Sequence, residues 1–144
     1  MNGAFTQRTL DLSGVFPPIP TPLNEFGDVA YDALRENIER WNAYDLSGYV
    51  VLGSNGEAAL LQVGEKMRLV ETVRRSAPED KLVIAGTGCE STRETIALTR
   101  QAAEAGADAA LVLAPNFYDS KMSPEALVRH YTAVADASPL PVLL

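Results

Sequence analysis

Cysteine is almost missing from this sequence. Cys89 is the only one, so the chain cannot close an internal disulfide, which fits a reducing compartment. Histidine and tryptophan also occur once each. No His, Cys, Asp and Glu residues fall at ligand spacing, so a metal site is not expected. Basic residues are outnumbered 12 to 19, for a formal charge of −7, which excludes the basic face of a nucleic-acid binder. No apolar run approaches the roughly 18–20 residues of a membrane span. Met1 to Ser13 has no apolar stretch of the kind a secretory signal carries. The expectation is a cytoplasmic protein without nucleic-acid or membrane partners.

What is present is the material of one globular core, 47% hydrophobic and 22% charged residues. Residues 1–13 read as a polar lead-in. Gly14 to Leu23 carries Pro17, Pro18, Pro20 and Pro22. Proline cannot donate to a sheet ladder, so by local rules this segment is extended and polyproline-like rather than a central strand. Asn24 to Asp28 is a turn. Leu34, Ile38 and Trp41 at helical spacing predict a helix from Ala30 to about Tyr44. Leu46 to Leu52 is a buried strand. Glu65 to Ala77 is a helix with Met67, Val70 and Val73 inward, stopped before Pro78.

Leu82 to Ala85 is the next strand. Ser91 and Glu94 form a capping box, so a helix runs from there to Gly106. Ala109 to Leu113 is a strand, and Ser123-Pro124 caps and starts a helix with Leu127, Tyr131 and Val134 inward. Leu140 to Leu144 opens one more strand. Strands recur about every 30 residues, the length of a strand–helix unit. Their continuous apolar character suits a parallel sheet covered on both faces. The class is α/β. Local pattern leaves a doubly wound sheet and a barrel open. A barrel needs eight units in about 250 residues, and this chain holds four units and the start of a fifth.

The chemistry is expected where Tyr49-Val50-Val51-Leu52 breaks into Gly53-Ser54-Asn55-Gly56-Glu57, at the carboxyl end of a parallel strand. The glycines permit positive φ or close backbone approach. Ser54 and Asn55 offer hydroxyl, amide and backbone donors to a small anion. Gly86-Thr87-Gly88 is a weaker phosphate candidate, lacking both the P-loop lysine and the third glycine of a dinucleotide fingerprint.

Five segments in one order, GVFPPIPTP (14–22), GSNGE (53–57), AGTGCEST (85–92), AGADAALVLAP (105–115) and PLPVLL (139–144), resemble the dihydrodipicolinate synthase / N-acetylneuraminate lyase family of class I aldolases. The resemblance implies a (β/α)8 TIM barrel. Residues 14–144 would be its N-terminal half, truncated in strand five, with the proline-rich segment as strand one. It implies cofactor-free Schiff-base chemistry, in which a lysine attacks the ketone of a 2-oxo acid and the iminium acts as an electron sink. By the same resemblance Ser54 and Asn55 bind the substrate carboxylate, and Ser54 is a candidate for the proton relay. A relay tyrosine belongs two residues after Pro115. Phe117 stands there, without a hydroxyl, and Tyr118 is the substitute candidate. The Schiff-base lysine belongs on strand six, outside this chain. Lys66, Lys81 and Lys121 read as surface charges.

The implied reaction is cleavage of 4-hydroxy-2-oxoglutarate to pyruvate and glyoxylate. Synthesis of 4-hydroxy-tetrahydrodipicolinate, or another 2-oxo-acid aldol reaction, is the alternative. The resemblance also implies a homo-oligomer, commonly a tetramer. A reading from a different class is a non-catalytic half-barrel that self-associates through open strand edges. Cys89 reads as a structural thiol, His130 as a surface or half-buried side chain, and Glu57 as a carboxylate that ties its own loop.

Overall fold

The computed structural model describes residues 10–144. Four parallel strands in the order β1-β2-β3-β4 form one sheet: β1 (Gly48–Val51), β2 (Leu82–Gly86), β3 (Ala109–Leu111) and β4 (Val142–Leu143). The helices α1 (Tyr31–Trp41), α2 (Val63–Ser76), α3 (Thr92–Glu104) and α4 (Pro124–Ala137) alternate with them. Register runs Tyr49↔Val83, Ile84↔Ala109 and Ala110↔Val142. Sequential parallel neighbours joined by helices are the repeating unit of a βα barrel wall.

Alternation along each strand sends Tyr49, Val51, Val83 and Ala85 to the helix side, where they join Leu34, Ile38, Leu69, Val70 and Val73 in the main core. Ala110, Val112 and Val134 form a smaller cluster under α3 and α4. In α2 the buried stripe is Leu69, Val70 and Val73, with Met67 only partly buried against it. This helix starts at Val63 because Glu65 reaches back to the Gln62 N–H at 2.8 Å, closing the first turn earlier than apolar spacing suggests. The predicted signals at α3 and α4 hold. Ser91 Oγ accepts the Glu94 N–H at 3.1 Å, and Ser123 Oγ accepts that of Ala126 at 3.3 Å. Gly106 stands past the end of α3 at φ +96°.

The proline-rich segment pairs with the sheet, so the local reading against a strand is corrected. Pro18 lies parallel to Val50. The Ile19 N–H donates to Val50 O, and the Val50 N–H donates to Pro17 O, both at 3.0 Å. Ser47 N–H donates to Val15 O at 2.9 Å. The ladder takes its donor from Ile19 and only carbonyls from Val15 and Pro17, so the missing proline N–H groups cost nothing on this edge. The polar lead-in before residue 10 lies outside the described residues.

Lys81, expected at the surface, and His130, expected at the surface or half-buried, are both buried. Lys81, 8% exposed, donates through Nζ to Tyr44 O at 3.0 Å and Leu46 O at 2.9 Å. It satisfies the carbonyls left over as the chain passes from α1 into β1. His130, 7% exposed, lies between α3 and α4 with Nδ1 2.9 Å from Thr92 Oγ1.

Candidate active site

The carboxyl ends of β1, β2 and β3 converge on a cleft of about 450 Å³. Gly53, Ser54 and Glu57 line it from the loop after β1, Lys66 from α2, Cys89 and Glu90 from the loop after β2, and Asn116 from the loop after β3. The strand-to-loop break at β1 is made by backbone strain. Leu52 takes φ 63° and Glu57 φ 53°, left-handed conformations that disfavour side-chain-bearing residues by about 1–2 kcal/mol each. Burial of Leu52 in the main core holds it there.

The glycines between them serve close approach rather than positive φ. A Cβ on Gly56 would stand 3.1 Å from Ile19 O, and one on Gly53 3.2 Å from Asn55 Oδ1. Ser54 to Gly56 form a single 3-10 turn closed by the Gly56 N–H to Gly53 O and the Glu57 N–H to Ser54 O.

Ser54 is exposed and faces the cleft. Asn55 is employed differently. Its Nδ2 donates to Pro18 O at 2.7 Å, tying the loop to the first strand, so its side-chain donor is engaged. Thr21 Oγ1 adds a parallel tie to Gly56 O at 2.7 Å. What the loop leaves for a ligand is the Ser54 hydroxyl and the backbone N–H groups of Ser54 and Asn55, which find no acceptor among the described residues. A turn of this kind always leaves its first N–H groups unpaired. Glu57, expected to anchor the loop, is exposed, and its carboxylate has no hydrogen-bond partner among the described residues. Asn55 performs that task.

Tyr118 and Phe117 stack edge to face, with ring centroids 5.0 Å apart. Both are largely exposed, at 68% and 75%, and neither lines the cleft. Cys89 does line it, but burial raises its thiol pKa, and Glu94 and Glu90 oppose the lowering by Lys66; it stays a thiol, a poor nucleophile. Lys66 and Asn116 are wall residues that sequence spacing did not single out.

No lysine stands at the carboxyl end of a strand. Lys66 is on α2, Lys81 precedes β2 at the opposite end of the sheet, and Lys121 lies in the short turn of residues 119–121. The model of the dihydrodipicolinate synthetase family matches residues 11–144. The chain belongs to this family. The family is one of carbon–carbon lyases, and its solved barrels superpose closely on the chain. The 4-hydroxy-tetrahydrodipicolinate synthase of the methanotroph Methylacidiphilum fumariolicum SolV gives a TM-score of 0.86 at 32% identity, over 93% of this chain and 44% of that one. The dihydrodipicolinate synthase of Acinetobacter baumannii, solved with pyruvate, gives 0.83 at 37% identity, over 90% and 44%. Among curated relatives, the 4-hydroxy-tetrahydrodipicolinate synthase of Haloarcula marismortui is 39% identical over 135 residues, 94% of this chain and 43% of that protein. The chain thus spans less than half the length of the relatives it matches, and its strands form part of the family's (β/α)8 TIM barrel.

Proposed function

We propose that residues 14–144 are the N-terminal half of a pyruvate-type Schiff-base lyase, and that this half supplies the substrate-carboxylate side of the site. The observation that carries the reading is the Ser54–Asn55 turn at the end of β1. Ser54 lines the cleft there. Its hydroxyl and the adjacent N–H groups of Ser54 and Asn55 are unpaired among the described residues, a donor set that suits a planar carboxylate. The pyruvate bound by the Acinetobacter relative supports a 2-oxo acid as the ligand.

In the proposed reaction a lysine from the other half attacks the substrate ketone and water leaves. The carbon–carbon bond breaks as the substrate hydroxyl loses its proton, releasing the aldehyde while the electron pair flows into the iminium to give an enamine. Protonation of the enamine and hydrolysis of the resulting iminium by water then free pyruvate and the lysine. Tyr118 is the relay candidate of the loop after β3, since Phe117 has no proton to move. The finer reading, cleavage of 4-hydroxy-2-oxoglutarate to pyruvate and glyoxylate, rests on the GSNGE and GCEST segments and on the Ser123-to-Pro141 stretch. The second, synthesis of 4-hydroxy-tetrahydrodipicolinate, is favoured by the names of the relatives. Both place the pyruvate carboxylate on the same turn, in a homo-oligomeric, tetrameric whole.

The test has two arms. Titration of the 144-residue chain with pyruvate, followed by amide NMR, is expected to move the Ser54 and Asn55 resonances; unmoved resonances overturn the carboxylate assignment. Borohydride reduction with pyruvate, read by intact mass, is expected to leave the chain unmodified. A stoichiometric adduct would mean that Lys66, Lys81 or Lys121 forms the Schiff base and that the amine is not supplied from elsewhere.

A further inference from the structure

The loop after β3, from Ala114 to Ser123, makes few bonds to the rest of the molecule. Its 3-10 turn closes on itself, with the Lys121 N–H donating to Tyr118 O and the Met122 N–H to Asp119 O. Apart from the Ser123 cap on α4, its hydrogen-bonded tie to another segment among the described residues is Glu90. One Glu90 oxygen, Oε2, accepts the Asn116 N–H at 3.1 Å and the Phe117 N–H at 2.9 Å. Oε1 lies 3.4 Å from the same Asn116 nitrogen. A carboxylate that accepts two consecutive backbone N–H groups fixes both peptide planes.

Glu90 is exposed, but the backbone on either side of it is held. Its neighbour Cys89 donates its N–H to Thr95 Oγ1 at 3.1 Å, and Thr95 Oγ1 reaches Ser91 O at 3.0 Å. Thr87 Oγ1 meets Thr99 Oγ1 at 2.8 Å. Buried hydroxyls on α3 therefore anchor the loop after β2, and Glu90 passes that anchorage to the loop after β3.

We propose that Glu90 is the positioning residue that sets the Asn116–Tyr118 segment against the cleft, and that it does so as a carboxylate. It fixes which of Asn116, Phe117 and Tyr118 meets a ligand in the cleft. Asn116 faces the cleft while the aromatic pair is turned to solvent. The charged and titratable groups around Glu90 are Glu57 from the loop after β1, Lys66 from α2, Cys89 beside it and Glu94 from α3, with Asp119 and Lys121 farther along the tethered loop. Gln at position 90 keeps an acceptor oxygen but places an NH2 donor near the Asn116 N–H. Ala removes both acceptors.

The experiment compares amide hydrogen exchange and pH-dependent amide shifts in the 144-residue chain with E90Q and E90A. In the unmodified chain the Asn116 and Phe117 amides are expected to be protected, and their proton shifts to move on acidification. E90A should speed exchange at these two amides roughly 10- to 100-fold and leave the Thr95 and Thr99 amides unchanged. E90Q should recover part of the protection but not the titration. Free exchange of both amides in the unmodified chain, or an unchanged titration in E90Q, overturns the proposal.

The link to a ligand rests on the 2-oxo-acid reading above. With pyruvate present, the Asn116 response should disappear in E90A while the Ser54 response remains. Should pyruvate move no amide of Gly53 to Glu57, that reading fails, and the exchange and titration data still decide what Glu90 does.

Discussion

His130 is the residue whose environment departs furthest from its sequence context. Its ring packs edge to face on Tyr131 with centroids 5.2 Å apart. Its hydrogen-bond partner is the Thr92 hydroxyl, and Nε2 is buried with no hydrogen-bond partner among the described residues. Burial pushes the imidazole pKa below its ordinary value of 6.5, because a charged ring there would lose hydration without gaining a counter-charge. Between the lowered folded pKa and 6.5 the unfolded chain binds more protons than the folded one. Stability is therefore fully present above 6.5 and is lost as pH falls toward the folded pKa. Carboxylates titrate lower and would blur an absolute profile, so the informative quantity is a difference. Urea unfolding of the chain and of His130→Leu at several pH values should show the midpoint of the chain falling relative to that of the variant on acidification from pH about 7 to 5. Parallel profiles would mean that His130 is solvated in the native state.

At the scale of elements, what the sequence announced and what it hid separate cleanly. Ser91 with Glu94 and Ser123 with Pro124 act through bonds within one turn, and both helix starts stand where those residues put them. The barrel strand at Pro17 to Ile19 was hidden. Its pairing depends on Val50, more than thirty residues away, and local propensity knows nothing of that partner. The GSNGE turn was visible as a break in a strand. That Asn55 would turn its amide to Pro18 could not be read from spacing, since the acceptor belongs to another segment.

Lys81 and Arg74 teach the same lesson at the opposite end of the sheet. Arg74, on α2, donates to Lys81 O, Ala77 O, Pro78 O and Asp108 Oδ2, and Asp108 Oδ2 also accepts the Val83 N–H at 2.9 Å. The Arg74–Asp108 pair is mostly shielded, with side chains 22% and 14% exposed. One guanidinium thus fastens the end of α2 to the starts of β2 and β3. Arg74→Ala should lower unfolding free energy by about 2–4 kcal/mol, measured by denaturant melts, without changing the pyruvate response of Ser54 at the other end. Arg74→Lys should recover little, because a single ammonium cannot span those four acceptors.

Considered whole, the sheet has unequal edges. β1 is sheltered by the paired proline-rich segment, whereas β4 pairs with β3 on one side and with no strand on the other among the described residues. At the end of β4, Leu144 is 76% exposed. An unpaired parallel edge beside an exposed apolar side chain is a template for another strand. In a closed barrel the next strand of the same chain would occupy it. In the 144-residue polypeptide the available strands belong to other copies. The net charge of −7 opposes their association, but the Debye length is about 8 Å at 0.15 M salt, so salt removes much of that repulsion. Size-exclusion chromatography with light scattering should therefore find oligomers that grow with salt concentration. Leu144→Lys, which places a charge on an exposed side chain at the end of β4, should shift them toward monomer while the far-ultraviolet spectrum stays the same. A chain that is monomeric at all salt concentrations, with a cooperative melt, would show that this edge is closed by the chain itself, and the self-associating half-barrel would then be ruled out as a reading of this protein.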